Sequence, residues 1–208
     1  LVLVDDGSGA ETRDYLAGFS RGRDWVRLIR NDAAAGYSRA ASQGVAASAG
    51  EFVIVLNSDT IVTDGWAEKL ADALLSTTGA GVVGPLSNAA GRQSIPSTKG
   101  SAQQSAVNPL PVGLTPDDMN RHCEAWTVAG ILPRVSLVHG FCIGIHRAVL
   151  DRIGFFDVEN FPRGYGEEDD FCLRAGAAGF GLVIATHTFV FHAKSKSFED
   201  EERIRLMH

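Results

Sequence analysis

Phe52-Val53-Ile54-Val55-Leu56 is a run of five apolar residues that passes directly into the polar turn Asn57-Ser58-Asp59-Thr60. A short apolar run bounded in this way predicts a strand buried on both faces, the position strands occupy in parallel sheets covered by helices. In open parallel sheets, ligands bind beyond the carboxyl ends of the strands. The turn after Leu56 is therefore the first place to look for a site.

Upstream of that strand the same alternation appears twice. Leu1–Val4 is an apolar run that stops in Asp5-Asp6-Gly7-Ser8, and Ser8 to Gly18 has a helical pattern. Val26, Leu28 and Ile29 mark a second strand, and the Ala-rich stretch Tyr37–Ala49 a second helix. Downstream, Trp66, Leu70, Ala73 and Leu74 fall at helical spacing, with Thr63 or Asp64 as N-cap. Gly81-Val82-Val83-Gly84-Pro85 reads as a strand broken by its proline. Strands alternating with helices predict an α/β fold with a mostly parallel, Rossmann-like sheet. From Ser87 to Pro116, Ser, Asn, Gln, Gly and Pro dominate without a period, so 87–116 reads as a loop-rich insertion. Order resumes as a helix over Asp117–Val128, ordered chain over Leu137–Ile145 and Ala148–Ile153, and a helix around Glu168–Ala178. Strands follow near Leu182–Ala185 and Thr188–Phe191, and the charged tail from Ser197 is expected to fray.

The chain has 208 residues, 45% of them hydrophobic and 21% charged, which suits one catalytic-size domain over 1–208. Its net charge of −6 and lack of any Lys/Arg run argue against a bulk nucleic-acid partner, which needs clustered positive charge. Three widely spaced cysteines, Cys123, Cys142 and Cys172, give neither a disulfide framework nor a zinc spacing, and point to a reducing compartment. No apolar stretch reaches the roughly 20 residues of a membrane span. The expected location is cytoplasmic, with peripheral attachment to the inner face of the membrane left open.

Four clusters carry chemistry. Asp59 offers a hard oxygen to a divalent metal (Mg²⁺ or Mn²⁺), although Asp also caps helices and makes turns routinely. Asp5 and Asp6 end a strand, where a carboxylate can accept from a nucleobase or ribose; a helix cap at Ser8 explains them equally well. Gly164-Tyr165-Gly166-Glu167-Glu168-Asp169-Asp170 puts four acids into a first helical turn. The macrodipole favours ionised carboxylates there, and a base within reach of a hydroxyl can take its proton. Acids at helix starts are also a routine stabilising feature, but four like charges exceed what capping needs. Phe189-Val190-Phe191-His192 ends an apolar strand in a metal-capable imidazole. Lys194 or Lys196 beyond it could approach a diphosphate, and His139 before Gly140 could line an acceptor pocket.

In this order and spacing the clusters resemble the family-2 glycosyltransferases of the GT-A fold, an αβα sandwich. The matching pieces are Val4-Asp5-Asp6-Gly7-Ser8; Asn31 through Gly36 to Gln43-Gly44; Leu56-Asn57-Ser58-Asp59; Gly154-Phe155-Phe156-Asp157; Tyr165 to Arg174; and Val190-Phe191-His192. The resemblance implies an inverting transfer from a nucleotide-diphosphate sugar, UDP favoured over dTDP or GDP, to a glycan or lipid-linked glycan acceptor. A bacterial role in surface polysaccharide synthesis goes with it by analogy alone. It places Asp5, with Asp6, Arg39, Asn57 and Ser58, around the nucleotide sugar, Asp59 and His192 on the metal, and Glu168 as base. Glu167 remains an alternative base, with Asp170 in the same acidic group. Lys69, Arg92 and the 87–116 insertion would shape the acceptor side.

Three departures stand out. Asn57 replaces the first acid of the family's Asp-x-Asp motif, so Asp59 is left as the main ligand. Glu168 stands where the family usually has Asp, one methylene longer. The family's first central strand has no counterpart before Leu1, so the chain is expected to be a fragment whose Leu1–Val4 strand lacks a central ladder partner. A sugar nucleotidylyltransferase would share the sheet but should show a Gly-rich phosphate loop. A nicotinamide dehydrogenase would need Gly-x-Gly-x-x-Gly after the first strand. A catalytically degenerate nucleotide- or carbohydrate-binding module would tolerate Asn57.

Overall fold

The computed structural model describes residues 1–100, 104–128, 131–162 and 164–193. The expectations for Lys194, Lys196 and the tail from Ser197 lie outside the described residues.

In chain order the elements are β1 (Val2–Asp6), α1 (Ala10–Ser20), β2 (Arg27–Asn31), α2 (Tyr37–Ala46), β3 (Phe52–Leu56), β4 (Thr60–Ile61), α3 (Trp66–Ser76) and β5 (Ala80–Leu86). After the insertion follow α4 (Pro116–Trp126), β6 (Arg134–Val135), β7 (Cys142–His146), α5 (Arg147–Ile153), α6 (Glu167–Ala177), β8 (Gly181–Phe189) and β9 (Phe191–His192). The central sheet has the order β3-β7-β5-β8-β6, while β1-β2 and β4-β9 form two-stranded sheets. β3 and β5 both run antiparallel to β7 and therefore parallel to each other, and β8 is parallel to β5. The reversed strands are β7 and β6.

Two layers of helices cover the central sheet, because neighbouring residues on a strand face opposite ways. Val82, Ile143, Ile145 and Leu182 point to one side and pack with Val149 of α5 and Phe171 and Ala175 of α6. Val83, Cys142 and Val183 point to the other and pack with Leu70 and Leu74 of α3. The αβα sandwich follows directly from that alternation.

Four local expectations need correction. β3 is not buried on both faces: it is the edge of the central sheet, and of its five residues only Val53 is buried. α2 packs against both β1 and β3, yet among the described residues no backbone ladder joins those two strands. Pro85 does not break β5. The β7 ladder has already ended at Val83, and the Pro85 carbonyl, on the side away from β8, accepts instead from Gln93 Nε2 at 2.6 Å. The missing N–H thus costs no bond to β8. Neither Thr63 nor Asp64 caps α3, which starts after Gly65 in a left-handed conformation. Thr63 donates its hydroxyl to the Phe189 carbonyl at 2.8 Å instead. Finally, the two strands read at 182–185 and 188–191 are one strand, β8, followed by the short β9.

The 87–116 insertion is only partly loose. Ser87, Asn88, Gln93 and Ser94 are buried in its first third. Its end is a stop signal legible in sequence, a capping box in which Thr115 and Asp118 satisfy each other's backbone N–H ahead of Pro116.

Candidate active site

The short ladder between β4 and β9 pairs Thr60 with His192. It brings together residues 133 apart in sequence: His192 Nε2 lies 3.3 Å from Asp59 Oδ1. The other ring nitrogen, Nδ1, contacts the Ala89 carbonyl at 2.9 Å. A carbonyl only accepts, so Nδ1 carries a proton there, and the ring turns Nε2 toward the carboxylate. Nε2 donates to Asp59 when it carries a proton, and a bound divalent ion would take that proton's place. Asn88 holds the backbone of His192 at both ends, accepting its N–H at 2.7 Å and donating to its carbonyl at 3.1 Å. His192 holds the Asp59 carboxyl below the usual carboxylate range, against an opposing push from burial. One carboxylate and one imidazole fit a divalent ion that takes its remaining ligands from water or phosphate oxygens. Among the described residues no third carboxylate, imidazole or thiolate joins the pair. Asn57 Oδ1 is buried nearby in sequence without a hydrogen-bond partner, and Ser58 is exposed at the tip of the turn.

The segment His139-Gly140-Phe141 connects this pair to the acidic helix. On one side, Phe141 accepts the Asn57 N–H on its carbonyl at 2.9 Å, and its ring stacks on His192 with centroids 5.0 Å apart. On the other side Gly140 meets Glu168. A Cβ at position 140 would stand 3.3 Å from that of Glu168, so the missing side chain is what permits the close approach. The Gly140 N–H is among the hydrogen bonds that favour the ionised Glu168. His139 Nδ1 lies 3.8 Å from Glu168 Oε1.

The acids at the start of α6 do different things. Gly164, Tyr165 and Gly166 all adopt positive φ, and a side chain at 166 would strike the Phe161 ring at 2.9 Å. That tight turn drives Glu167 inward, where it is 4% exposed with Oε2 lacking a hydrogen-bond partner. Burial, then the neighbouring Glu168 charge, push its carboxyl up to about 7. Glu168 is 19% exposed at its side chain and is also pushed up, first by burial. Asp170 turns away: it pairs with Arg174 at 2.7 Å, and Arg174 donates to the carbonyls of Ile153 and Phe155. Its carboxylate ties α6 to the preceding loop.

At the end of β1 both carboxylates are already engaged. Asp5 is 3% exposed, accepts the Ser8 N–H at 3.0 Å and pairs with Arg30. Burial opposes its charge, but the Ser8 and Arg30 interactions more than offset it and lower the pKa. Asp6 accepts from Gly36 N at 2.8 Å, Ala35 N at 3.0 Å and Asn31 Nδ2 at 2.7 Å, which holds the loop leading into α2. Each carboxylate keeps further lone-pair sites. Arg39 is exposed and lines an open cavity of about 690 Å³ with Arg30, Asn31, Ser42 and Gln43, which does not include Asp59, His192 or Glu168. Lys69 pairs with Glu124 and so links α3 to α4, while Arg92 is exposed on a single 3-10 turn, Gly91–Gln93. Sequence reasoning missed Asn88, Ala89, Gln93 and Tyr37. Asn88, Ala89 and Gln93 sit in no motif, Tyr37 lies within the Asn31–Gly44 piece without being singled out there, and each acts through contacts made at long range.

Comparison with known proteins bears on the family and the fold. A family model described as "Glycosyl transferase family 2" matches residues 1–154. An uncharacterized protein, y4gI, of Sinorhizobium fredii (strain NBRC 101917 / NGR234) is 26% identical over 211 residues, covering 97% of this chain and 22% of that protein. Among solved structures, GalNAc-T7 with UDP, GalNAc and Mn²⁺ aligns with a TM-score of 0.67 at 20% identity, over 92% of this chain and 37% of that one. The mannosyltransferase PcManGT of Pyrobaculum calidifontis, in complex with GDP-Man and Mn²⁺, aligns with a TM-score of 0.58 at 18% identity, over 98% of this chain and 50% of that one. The chain thus spans about a fifth of the curated relative and at most half of these structures. The shared architecture is the GT-A fold.

Proposed function

The chain belongs to glycosyl transferase family 2, and on that premise we propose an inverting, metal-dependent transfer of a sugar from a nucleoside-diphosphate donor to a hydroxyl acceptor. The observation that carries the reading is the Asp59–His192 pair on one side of the His139–Phe141 segment and Glu168 on the other. Asp59 and His192 would hold Mg²⁺ or Mn²⁺. When bound, the metal supplies charge neutralisation for the departing diphosphate. Asn57 and Ser58, on the same turn, would border the donor, and Asp5, Asp6 and Arg39 would face its nucleoside end.

Glu168 is the base of this reading. It is the more accessible of the two glutamates, and its side chain packs against Gly140. It accepts the proton of the acceptor hydroxyl as the oxygen attacks the anomeric carbon from the face opposite the diphosphate. The new C–O bond forms while the bond to the diphosphate breaks, and the proton ends on the carboxyl. Burial, with the Asp169 charge beside it, raises its proton affinity. The fitting donor is a UDP-sugar first, with GDP- and dTDP-sugars next; the fitting acceptor is a glycan or lipid-linked glycan in surface polysaccharide or glycoconjugate synthesis. Among the described residues no helix is long and apolar enough to cross a membrane.

The test is a panel of UDP-, GDP- and dTDP-sugars with and without Mn²⁺, read by thermal shift and by release of nucleoside diphosphate. At least one donor should stabilise the protein only with metal, by about 2.7 kcal/mol at a hundredfold excess over its Kd. Stabilisation without any release, with or without added glycan acceptors, would instead identify a binding module.

A further inference from the structure

The catalytic carboxylate is mounted on a peptide that has no side chain of its own to hold it. The Glu168 side chain packs against Gly140, where a Cβ would stand 3.3 Å from the Glu168 Cβ, and Gly140 has the freest backbone in the segment. Its flanking peptides are each pinned from a different element. His139 donates its N–H to Gln93 Oε1 at 2.6 Å, and Gln93 is itself buried and tied to the Pro85 carbonyl of β5. Tyr37, the first residue of α2, donates its hydroxyl to the Gly140 carbonyl at 3.1 Å. The backbone between those two anchors is the surface on which the Glu168 side chain rests.

We infer that Tyr37 and Gln93 are positioning residues of the transfer reaction, which fix the Gly140 peptide and through it the carboxylate of Glu168. The inference rests on the assignment of Glu168 as base. Tyr37 suits the task for two reasons. Burial first, then Glu167 and Glu168, raise its hydroxyl's pKa far above neutrality, so it stays a donor. It also begins the helix whose entry loop Asp6 clamps through Ala35 and Gly36. The end of β1, beside the proposed nucleoside site, is therefore joined to the base through Asp6, Tyr37 and Gly140. Gln93 gives the first third of the 87–116 insertion a role beyond covering the sheet.

Tyr37→Phe tests this, since it removes one oxygen and keeps the ring against Phe156, whose centroid is 6.0 Å away. With whichever of UDP-glucose, UDP-N-acetylgalactosamine or GDP-mannose turns over in Mn²⁺, kcat should fall about tenfold while the donor KM stays within about twofold. A second readout needs no donor: carboxyl-¹³C NMR of labelled glutamate, with Glu168 assigned by its loss in Glu168→Gln. Glu167, Asp169 and His139 face Glu168 and are unchanged in the variant, so its titration should shift as the Gly140 backbone it packs against moves. Gln93→Leu should move both readouts the same way.

A purely structural role would lower the melting temperature without separating kcat from KM or moving the titration. Unchanged kcat and unchanged titration in both variants would overturn the inference. If Glu168→Gln itself turned over normally, the base assignment would fail instead, and the two failures are distinct.

Discussion

Asp59 and Glu168 flank the same three-residue segment, His139 to Phe141, yet their surroundings push them in opposite directions. Asp59 meets an imidazole whose far nitrogen is fixed by the Ala89 carbonyl, and its carboxyl is held below the usual range. Glu168 sits beside a buried Glu167 and an exposed Asp169, and burial pushes its carboxyl up. A carboxylate that must stay ionised against a cation needs the first environment. A carboxylate that must take up a proton near neutrality needs the second. One fold supplies both by placing a strand-end pair on one side and a glycine-framed helix start on the other. The difference between the two ends, rather than either acid alone, is what the proposed transfer would use.

The largest expected effect comes from removing proton acceptance at one end only. Glu168→Gln should lower transfer by about a hundred- to ten-thousandfold while metal-dependent thermal stabilisation by the donor persists. Retained transfer would move the base to another group and dissolve the contrast. Asp59→Asn attacks the opposite end. It should abolish the difference between donor binding with and without Mn²⁺ and reduce turnover on the order of a hundredfold. A calorimetric titration of Mn²⁺ and donor into this variant checks it directly. If Mn²⁺ still enhanced donor binding there, the metal would lie elsewhere.

How much of this was legible in the sequence depends on the range of the forces involved. The strand ends, the Gly-Tyr-Gly-Glu-Glu turn and the capping box at Thr115 are local, and each could be read from consecutive residues. The pairing of Asp59 with His192 was suggested only by family resemblance, because β4 and β9 are two residues each and carry no periodicity. Asn88 and Gln93 looked like ordinary loop polars in a segment of low complexity. Their work is to satisfy buried backbone groups of β9, β5 and His139, and nothing adjacent to them in sequence announces that. The apolar run of β3 was misread for the opposite reason. Five apolar residues signal burial on two faces, but a strand's burial also needs a neighbour at each edge, and among the described residues β3 has a ladder only to β7.

Glu167 offers the smallest and most specific test of the contrast, because it should affect stability more than chemistry. Its folded pKa, about 7, lies above the ordinary value of 4.5. The folded state therefore binds a proton more tightly than the unfolded one. That contribution to stability is fully present below pH 4.5 and is lost as the pH rises through about 7. Above that window the protein holds a buried, partly unpaired charge against Glu168. Glu167→Gln removes the charge while keeping the shape, so it should stabilise the protein at pH 8 by roughly 1–3 kcal/mol and change little at pH 4. Urea melts at the two pH values measure this. A stability gain equal at both pH values would mean that Glu167 is strained rather than charged, and the electrostatic account of this end of the cleft would not stand.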